Sequence, residues 1–302
     1  MLFIYRILIN LILIISPIII IYRLLIGKED LKRFKEKFCF FSKEKKGRNL
    51  IWFHGASVGE ILSIVPLIKN YEKENCIDQI LVTSSTLSSS KVLKKFKFKK
   101  TIHQFYPIDN LYLTNKFLNF WRPSMAIFVD SEIWPCMYNN INDQKIPLIL
   151  LNARLTKKTF KRWMMLRSFA RSIFNKITIT YPQNLETAQY LKILKANKIS
   201  HLGNLKFAEN FEENLDRIDI NLKKELKKKK IWVASSTHRS EEVFCAKAHI
   251  QLRKKVKNLI TIIIPRHINR SKEIISDLLL PGNNATEFIS LECISSLVRD
   301  IS

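Results

Sequence analysis

Ile51-Trp52-Phe53-His54-Gly55-Ala56-Ser57-Val58-Gly59-Glu60 begins as an apolar run, passes through small residues suited to a tight strand-to-helix turn, and ends in one carboxylate. The apolar helix predicted for Ile61–Ile68 follows directly. A turn of this kind places backbone N–H groups and a single acid at the carboxyl edge of a parallel sheet, where open α/β folds bind ligands. Glu60 is therefore the first candidate for chemistry. It can equally serve only to complement the positive end of the following helix dipole.

Downstream, short apolar strands and amphipathic helices alternate. Strands are predicted at Asn49–Phe53, Gln79–Ser84, Thr101–Tyr106, Met125–Val129, Leu148–Leu151 and Lys176–Thr180, with a strand end at Ile199–Leu202. Helices are predicted between them at Ile61–Glu72, Ser88–Phe96, Asn110–Trp121, Trp134–Asp143, Phe160–Phe174 and Leu185–Lys192. Such βα repeats give a parallel sheet covered by helices, one Rossmann-like domain. A polar segment from Phe207 to the lysine run Lys223–Lys230 reads as the interdomain connection. A second βαβ unit follows: strand Ile231–Ser235, helix Glu241–Val256, strand Leu259–Ile264, a turn at Pro265-Arg266-His267 and helix Arg270–Leu280.

Ahead of the first strand, Ile7–Tyr22 is almost purely apolar and is bracketed by Arg6 and Arg23. Sixteen helical residues reach about 24 Å, short for a bilayer core of about 30 Å unless Met1–Tyr5 also enters. The basic flank of Lys28, Lys32, Arg33, Lys35 and Lys37 belongs in the cytoplasm by the positive-inside rule. An uncleaved anchor follows, spanning once or embedded in one leaflet, with the body on the cytoplasmic face of the plasma membrane. Since the sheet begins near Asn49, a chain lacking Met1–Tyr22 is expected to fold and to bind membranes less well.

The 302 residues suggest about two domains plus appendages. Fifty-one Lys and Arg against 26 Asp and Glu give a formal charge of +25, which calls for an anionic partner. Lys91–Lys100 and Lys157–Arg171 interleave cations with apolar residues, as a helix at an anionic membrane or a cleft receiving a phosphorylated acyl lipid requires. With an anchor present, lipid and not nucleic acid is the expected partner. The five cysteines are scattered without CxxC spacing, against a disulfide framework or zinc site. Neither GxGxxG nor GxxxxGK[ST] occurs, so dehydrogenase and P-loop chemistry have no motif support.

Polar motifs stand at the carboxyl ends of the predicted strands: Asp130-Ser131-Glu132-Ile133-Trp134-Pro135, Asn152-Ala153-Arg154, Gly203-Asn204-Leu205-Lys206, Ser235-Ser236-Thr237-His238 and Pro265-Arg266-His267. Two Rossmann-like domains with polar strand ends make an interdomain cleft. Bland readings stand beside the functional ones. Arg154 can simply pair with Glu132, His54 can be a satisfied core histidine, and Ser236 and Thr237 can cap the next helix.

With HGASVGE (54–60), DSEIWP (130–135), LNARL (151–155), GNLKF (203–207), ASSTH (234–238) and IPRH (264–267) in order, the chain resembles the bacterial 3-deoxy-D-manno-octulosonic acid (Kdo) transferases. That resemblance covers roughly Arg23 to Leu280. It implies an α/β fold of GT-B type, with an anchor over 1–26, an acceptor domain over 27–208, and a partial nucleotide-sugar domain over 209–302. It also implies inverting, metal-independent transfer of Kdo from CMP-Kdo to a lipid A precursor at the inner membrane, without a cofactor. On the motif matches Glu60 is the catalytic base, Lys206 a transition-state stabiliser, and Pro265 and Arg266 part of the CMP surface, with Ser236 and Thr237 beside them. Asp130 takes the place of the family's other transition-state residue, usually Glu.

The chemistry is consistent with those roles. A carboxylate can take the proton of an attacking sugar hydroxyl, and Lys206 and Arg266 suit the charge of a departing phosphate. The family continues past the point matched by Leu280, whereas Pro281–Ser302 carries no Gly-Gly pair and no further βα run. The second domain is therefore expected to be incomplete, to bind CMP weakly and to need a separate polypeptide for its missing half. The alternative is a non-catalytic or truncated GT-B-fold protein that binds at the membrane.

Overall fold

The computed structural model describes residues 1–203, 205, 226–227, 229–267 and 270–278. Lys206, half of the Lys223–Lys230 run and the 281–302 tail lie outside the described residues. The chain divides into two compact units, Met1–Glu209 and Asn210–Ser302.

In the first unit six strands lie in the order β3-β2-β1-β4-β5-β6: β1 (Leu50–His54), β2 (Gln79–Ser84), β3 (Thr101–Phe105), β4 (Met125–Val129), β5 (Leu148–Ala153) and β6 (Ile179–Pro182). Every pairing is parallel. All five β1 residues are buried, because a parallel sheet is covered on both faces. Alternate residues feed two cores. Trp52, Phe117, Trp121, Phe128 and Tyr138 belong to one. Phe53, Ile61, Ile64, Ile68 and Val82 belong to the other. Helices α2 (Val58–Tyr71) and α3 (Leu87–Lys95) supply the second face. The first face takes α4 (Leu111–Trp121), α5 (Pro135–Asp143) and α7 (Arg167–Phe174).

Three predicted elements differ. The single helix expected at Phe160–Phe174 is two, α6 (Lys157–Met165) and α7, broken at Leu166 with φ −119° and ψ 51°. The break lets Trp163 reach Phe174, ring centroids 5.3 Å apart, where an unbroken helix would hold them about 16 Å apart along its axis. The strand expected at Lys176–Thr180 is shifted to Ile179–Pro182, and the expected strand end at Ile199–Leu202 is a lone bridge from Thr180 to Ile199. Helix α8 (Leu185–Ile193) lies between them.

Helix α1 (Leu2–Leu25) is 24 residues long and rests on this unit. Leu2, Tyr5 and Leu13 pack on the first core. Tyr5 Oη donates to Asp109 Oδ2 at 2.6 Å, and Asn110 Nδ2 donates to Asn10 Oδ1 at 2.7 Å. Removing Met1–Tyr22 would uncover that surface and take the Tyr5 hydroxyl from Asp109, so a chain lacking it is expected to lose stability as well as membrane binding.

The second unit contains β7 (Lys230–Thr237), α9 (Glu241–Arg253), β8 (Leu259–Pro265) and α10 (Ser271–Leu278), with β7 and β8 parallel. Its described core is small: Cys245, Ala246, Ile263, Ile274 and Leu278, joined by Trp232 and Ala234.

Candidate active site

The strand order reverses between β1 and β4, the place where doubly wound sheets leave a crevice for ligands. Glu60 stands on the β1 side. Helix α2 starts three residues earlier than the sequence predicts because Ser57 caps it. Ser57 Oγ accepts from the Glu60 N–H at 3.3 Å and donates to Glu60 Oε1 at 2.7 Å, while Oε2 accepts from the Ala56 N–H at 2.7 Å. This is a variant of the capping box, Ser and Glu three residues apart, with the acid reaching back to the N–H one residue before the cap. The dipole-complementing role and a half-buried, precisely aimed acid therefore coexist in one side chain.

Gly55 permits that position. A Cβ there would meet Glu60 Cβ at 3.1 Å and Ile61 Cδ1 at 3.5 Å. Gly55→Ala is expected to push Glu60 outward by a few tenths of an ångström and, on the expectation that Glu60 is a base, to slow the reaction it serves about tenfold. An unchanged rate in Gly55→Ala would show that this placement is not critical.

On the β4 side, Asp130 is buried with φ 62°, a left-handed conformation that Asp tolerates better than most residues. Its N–H donates to Leu151 O at 3.0 Å and its carbonyl accepts from the Arg154 N–H at 3.1 Å. Two residues on, Glu132 Oε2 accepts from Trp134 Nε1 at 2.9 Å and lies 3.2 Å from His54 Nε2. His54 is fully buried, and its Nδ1 is 2.9 Å from Thr83 Oγ1. A proton on Nε2 lets the ring donate to Glu132 and accept from Thr83. The imidazole is also stacked on Tyr106, centroids 3.9 Å apart. His54 is thus the satisfied core histidine of one reading, and it also fixes Glu132. Arg154 is exposed, so Glu132 takes His54 and Trp134 where an Arg154 pair was considered.

Burial pushes Glu60 above the usual carboxylate range. The Ser57 hydroxyl pulls it down, the charge of Glu132 pushes it up, the Ala56 N–H pulls it down and the charge of Asp130 pushes it up, leaving a net rise. A raised value suits a general base near neutral pH better than an ordinary carboxylate does.

At the end of β5, Asn152 has φ 52° and is buried. Its Oδ1 accepts from the Leu205 N–H at 3.1 Å, while its Nδ2 has no hydrogen-bond partner among the described residues. Lys206, the next residue, lies outside the described residues.

In the second unit the predicted binding residues gather at the carboxyl ends of β7 and β8. Thr237 pairs with Pro265 across the strands, and the Arg266 N–H donates to Thr237 O at 3.1 Å. Ser236 is exposed at a register shift with φ 59°, and Arg266 is exposed. Thr237 is buried and its hydroxyl donates to Glu242 Oε1 at 3.0 Å. Neither Ser236 nor Thr237 occupies the cap of α9, whose N-cap is Ser240. Among the described residues no group of three or more His, Cys, Asp or Glu side chains is disposed to hold a metal ion.

Residues 32–209 match the family model for 3-deoxy-D-manno-octulosonic-acid transferase (kdotransferase). The chain belongs to this family. The 3-deoxy-D-manno-octulosonic acid transferase of Rickettsia bellii (strain RML369-C) is 37% identical over 270 residues, covering 89% of this chain and 64% of the relative. The Arabidopsis thaliana protein described as a probable mitochondrial 3-deoxy-D-manno-octulosonic acid transferase is 32% identical over 292 residues, covering 93% and 65%. The chain spans just under two thirds of the length of these curated relatives. The solved structure of UDP-GlcNAc 2-epimerase from Neisseria meningitidis bound to UDP-GlcNAc has a TM-score of 0.56 at 16% identity, over 80% of this chain and 72% of that one. Another UDP-N-acetylglucosamine 2-epimerase gives 0.54 at 15%, over 80% and 67%. These two likenesses concern the fold alone, the α/β architecture of GT-B type.

In this Kdo transferase family member, Glu132 and Asn152 were not singled out for chemistry by sequence reasoning. Both lie inside motifs quoted from the sequence. The missing signal is three-dimensional, since Glu132 meets His54 only because β1 and β4 are neighbours.

Proposed function

We propose that the chain transfers Kdo from CMP-Kdo to a lipid A precursor by an inverting displacement. Glu60 removes the proton of the acceptor hydroxyl as the oxygen attacks the anomeric carbon, and CMP departs from the opposite face. The observation that carries this reading is the Glu60 carboxylate, locked by Ser57 and Ala56 at the switch point of the sheet. Glu132 and Asp130, across the same strand ends, keep Glu60 basic and offer negative charge to the oxocarbenium-like carbon. Arg266 and Lys206 are assigned to the departing phosphate, with Pro265, Ser236 and Thr237 beside the cytidine. In this reading the chain's own cations do the work that a metal would do.

Incubating the protein with CMP-Kdo and a tetraacylated lipid A precursor, followed by mass analysis of the lipid, tests the reading. A mass gain of one or more Kdo units supports it, and an unmodified lipid counts against it. The pH profile tests the part given to the acids. A base works only when ionised, so the rate is expected to fall on acidification at a pH above the ordinary carboxylate range. Glu132→Gln removes a charge that raises Glu60, so its acid limb should move to lower pH. An unmoved limb would separate Glu132 from the base.

A further inference from the structure

We infer that α1 does not cross the bilayer but lies lengthwise in one leaflet, zipped to its own domain, so that this side of the first unit is the membrane-facing surface. Length alone would permit crossing, since 24 helical residues reach about 36 Å against a core of about 30 Å. The burial pattern argues otherwise. Ser16 and Ile20 are buried and Leu2, Tyr5, Arg6, Ile9, Leu13, Arg23 and Leu24 are half-buried, and they recur at the spacing of one helix face. The contact therefore runs the whole length of the helix.

Its polar residues are used on that side. Tyr5 is bonded to Asp109 and Asn10 to Asn110 near one end, and Arg23 Nε donates to Glu29 Oε1 at 2.7 Å at the other. Pro17 cannot donate to Leu13 O, and Ser16 Oγ takes that place at 2.7 Å, so the carbonyl freed by the proline is satisfied. Were α1 to cross with Arg23 at the cytoplasmic face, Tyr5 would sit about 27 Å away along the axis. Asp109 and the start of α4 would then be drawn into hydrocarbon, where a carboxylate is costly.

The outward face is apolar: Phe3, Ile7, Leu11, Ile14, Ile18 and Leu25 are all exposed. Lys28, Lys32 and Lys35, exposed just beyond its end, match an anionic headgroup layer. Tyr112, 71% exposed two residues from Asn110, suits the interface itself. A lipid leaflet with anionic headgroups is the occupant that fits both the aliphatic face and its charged margin.

Spin labels at Ile7→Cys, Leu11→Cys and Ile18→Cys, all on the outward face, each in the full chain with Cys76→Ser and Cys293→Ser and bound to phosphatidylglycerol-containing vesicles, read the depth of the helix. The three labels are expected within about one helix turn of the same depth. Depths differing by about 16 Å between Ile7 and Ile18, the axial rise of eleven residues, would overturn the inference. So would labels screened from lipid and broadened by a second copy. A short bis-maleimide should join Asn10→Cys to Asn110→Cys in vesicle-bound protein, and loss of that cross-link on binding would likewise refute it. Neither readout depends on transfer activity.

Discussion

Glu60→Gln is expected to fold like the parent and to transfer Kdo about 10²–10⁴ times more slowly. Glutamine serves in the third position of a capping box as well as glutamate does. Its carbonyl can still accept from the Ala56 N–H and its amide can donate to Ser57 Oγ, reversing one hydrogen bond of the native pair. What it cannot do is accept the proton of an acceptor hydroxyl. Single-turnover rates together with thermal unfolding separate the two effects. A Tm near that of the parent with a collapsed rate assigns Glu60 to chemistry, whereas near-parental turnover would leave it a helix cap and nothing more.

Asp109→Ala is expected to lower stability by about 3 kcal/mol and the Tm by about 6–12 °C. Asp109 is 2% exposed and accepts three hydrogen bonds, from Tyr5 Oη and from the N–H groups of Cys136 and Met137. Those two amides belong to the first turn of α5, whose N-cap residue Trp134 contributes no side-chain cap. Asp109 thus caps a helix 26 residues downstream and fastens α1 to it. Burial pushes its carboxyl up to about 6. Asp109→Asn, which keeps an acceptor oxygen, should lose much less. Equal losses in the two variants, read by thermal or chemical unfolding, would show that charge and not acceptance holds the joint.

The alternation of strands and helices was legible because each buried strand is a short apolar run closed by a polar turn, as in Leu148–Ala153 before Arg154. The turn and its acid were legible as well, since Gly55 to Glu60 set small residues and one carboxylate into six positions, but the Ser57 cap that starts α2 three residues early was not. Strand order was not. Nothing local tells His54 that Glu132 will be its neighbour 78 positions later. The break at Leu166 was hidden for a similar reason, because its cause is the packing of Trp163 on Phe174 and not a proline or glycine at the break. In α1 the clue was present but read one way only. Tyr5 and Asn10 look like flaws in an anchor until they are seen bonded to Asp109 and Asn110, and Ser16 until it is seen to satisfy the carbonyl that Pro17 leaves free.

That lengthwise contact also bears on how such a protein would meet an acyl-chain acceptor. A body held flat on one leaflet searches in two dimensions, and the quantity that sets its rate is the mole fraction of acceptor in the surface, not its concentration in the tube. Diluting the same acceptor with inert lipid, at constant bulk amount, would then slow turnover, while diluting the suspension with buffer that holds the nucleotide-sugar concentration constant would leave each vesicle-bound molecule working at its former pace.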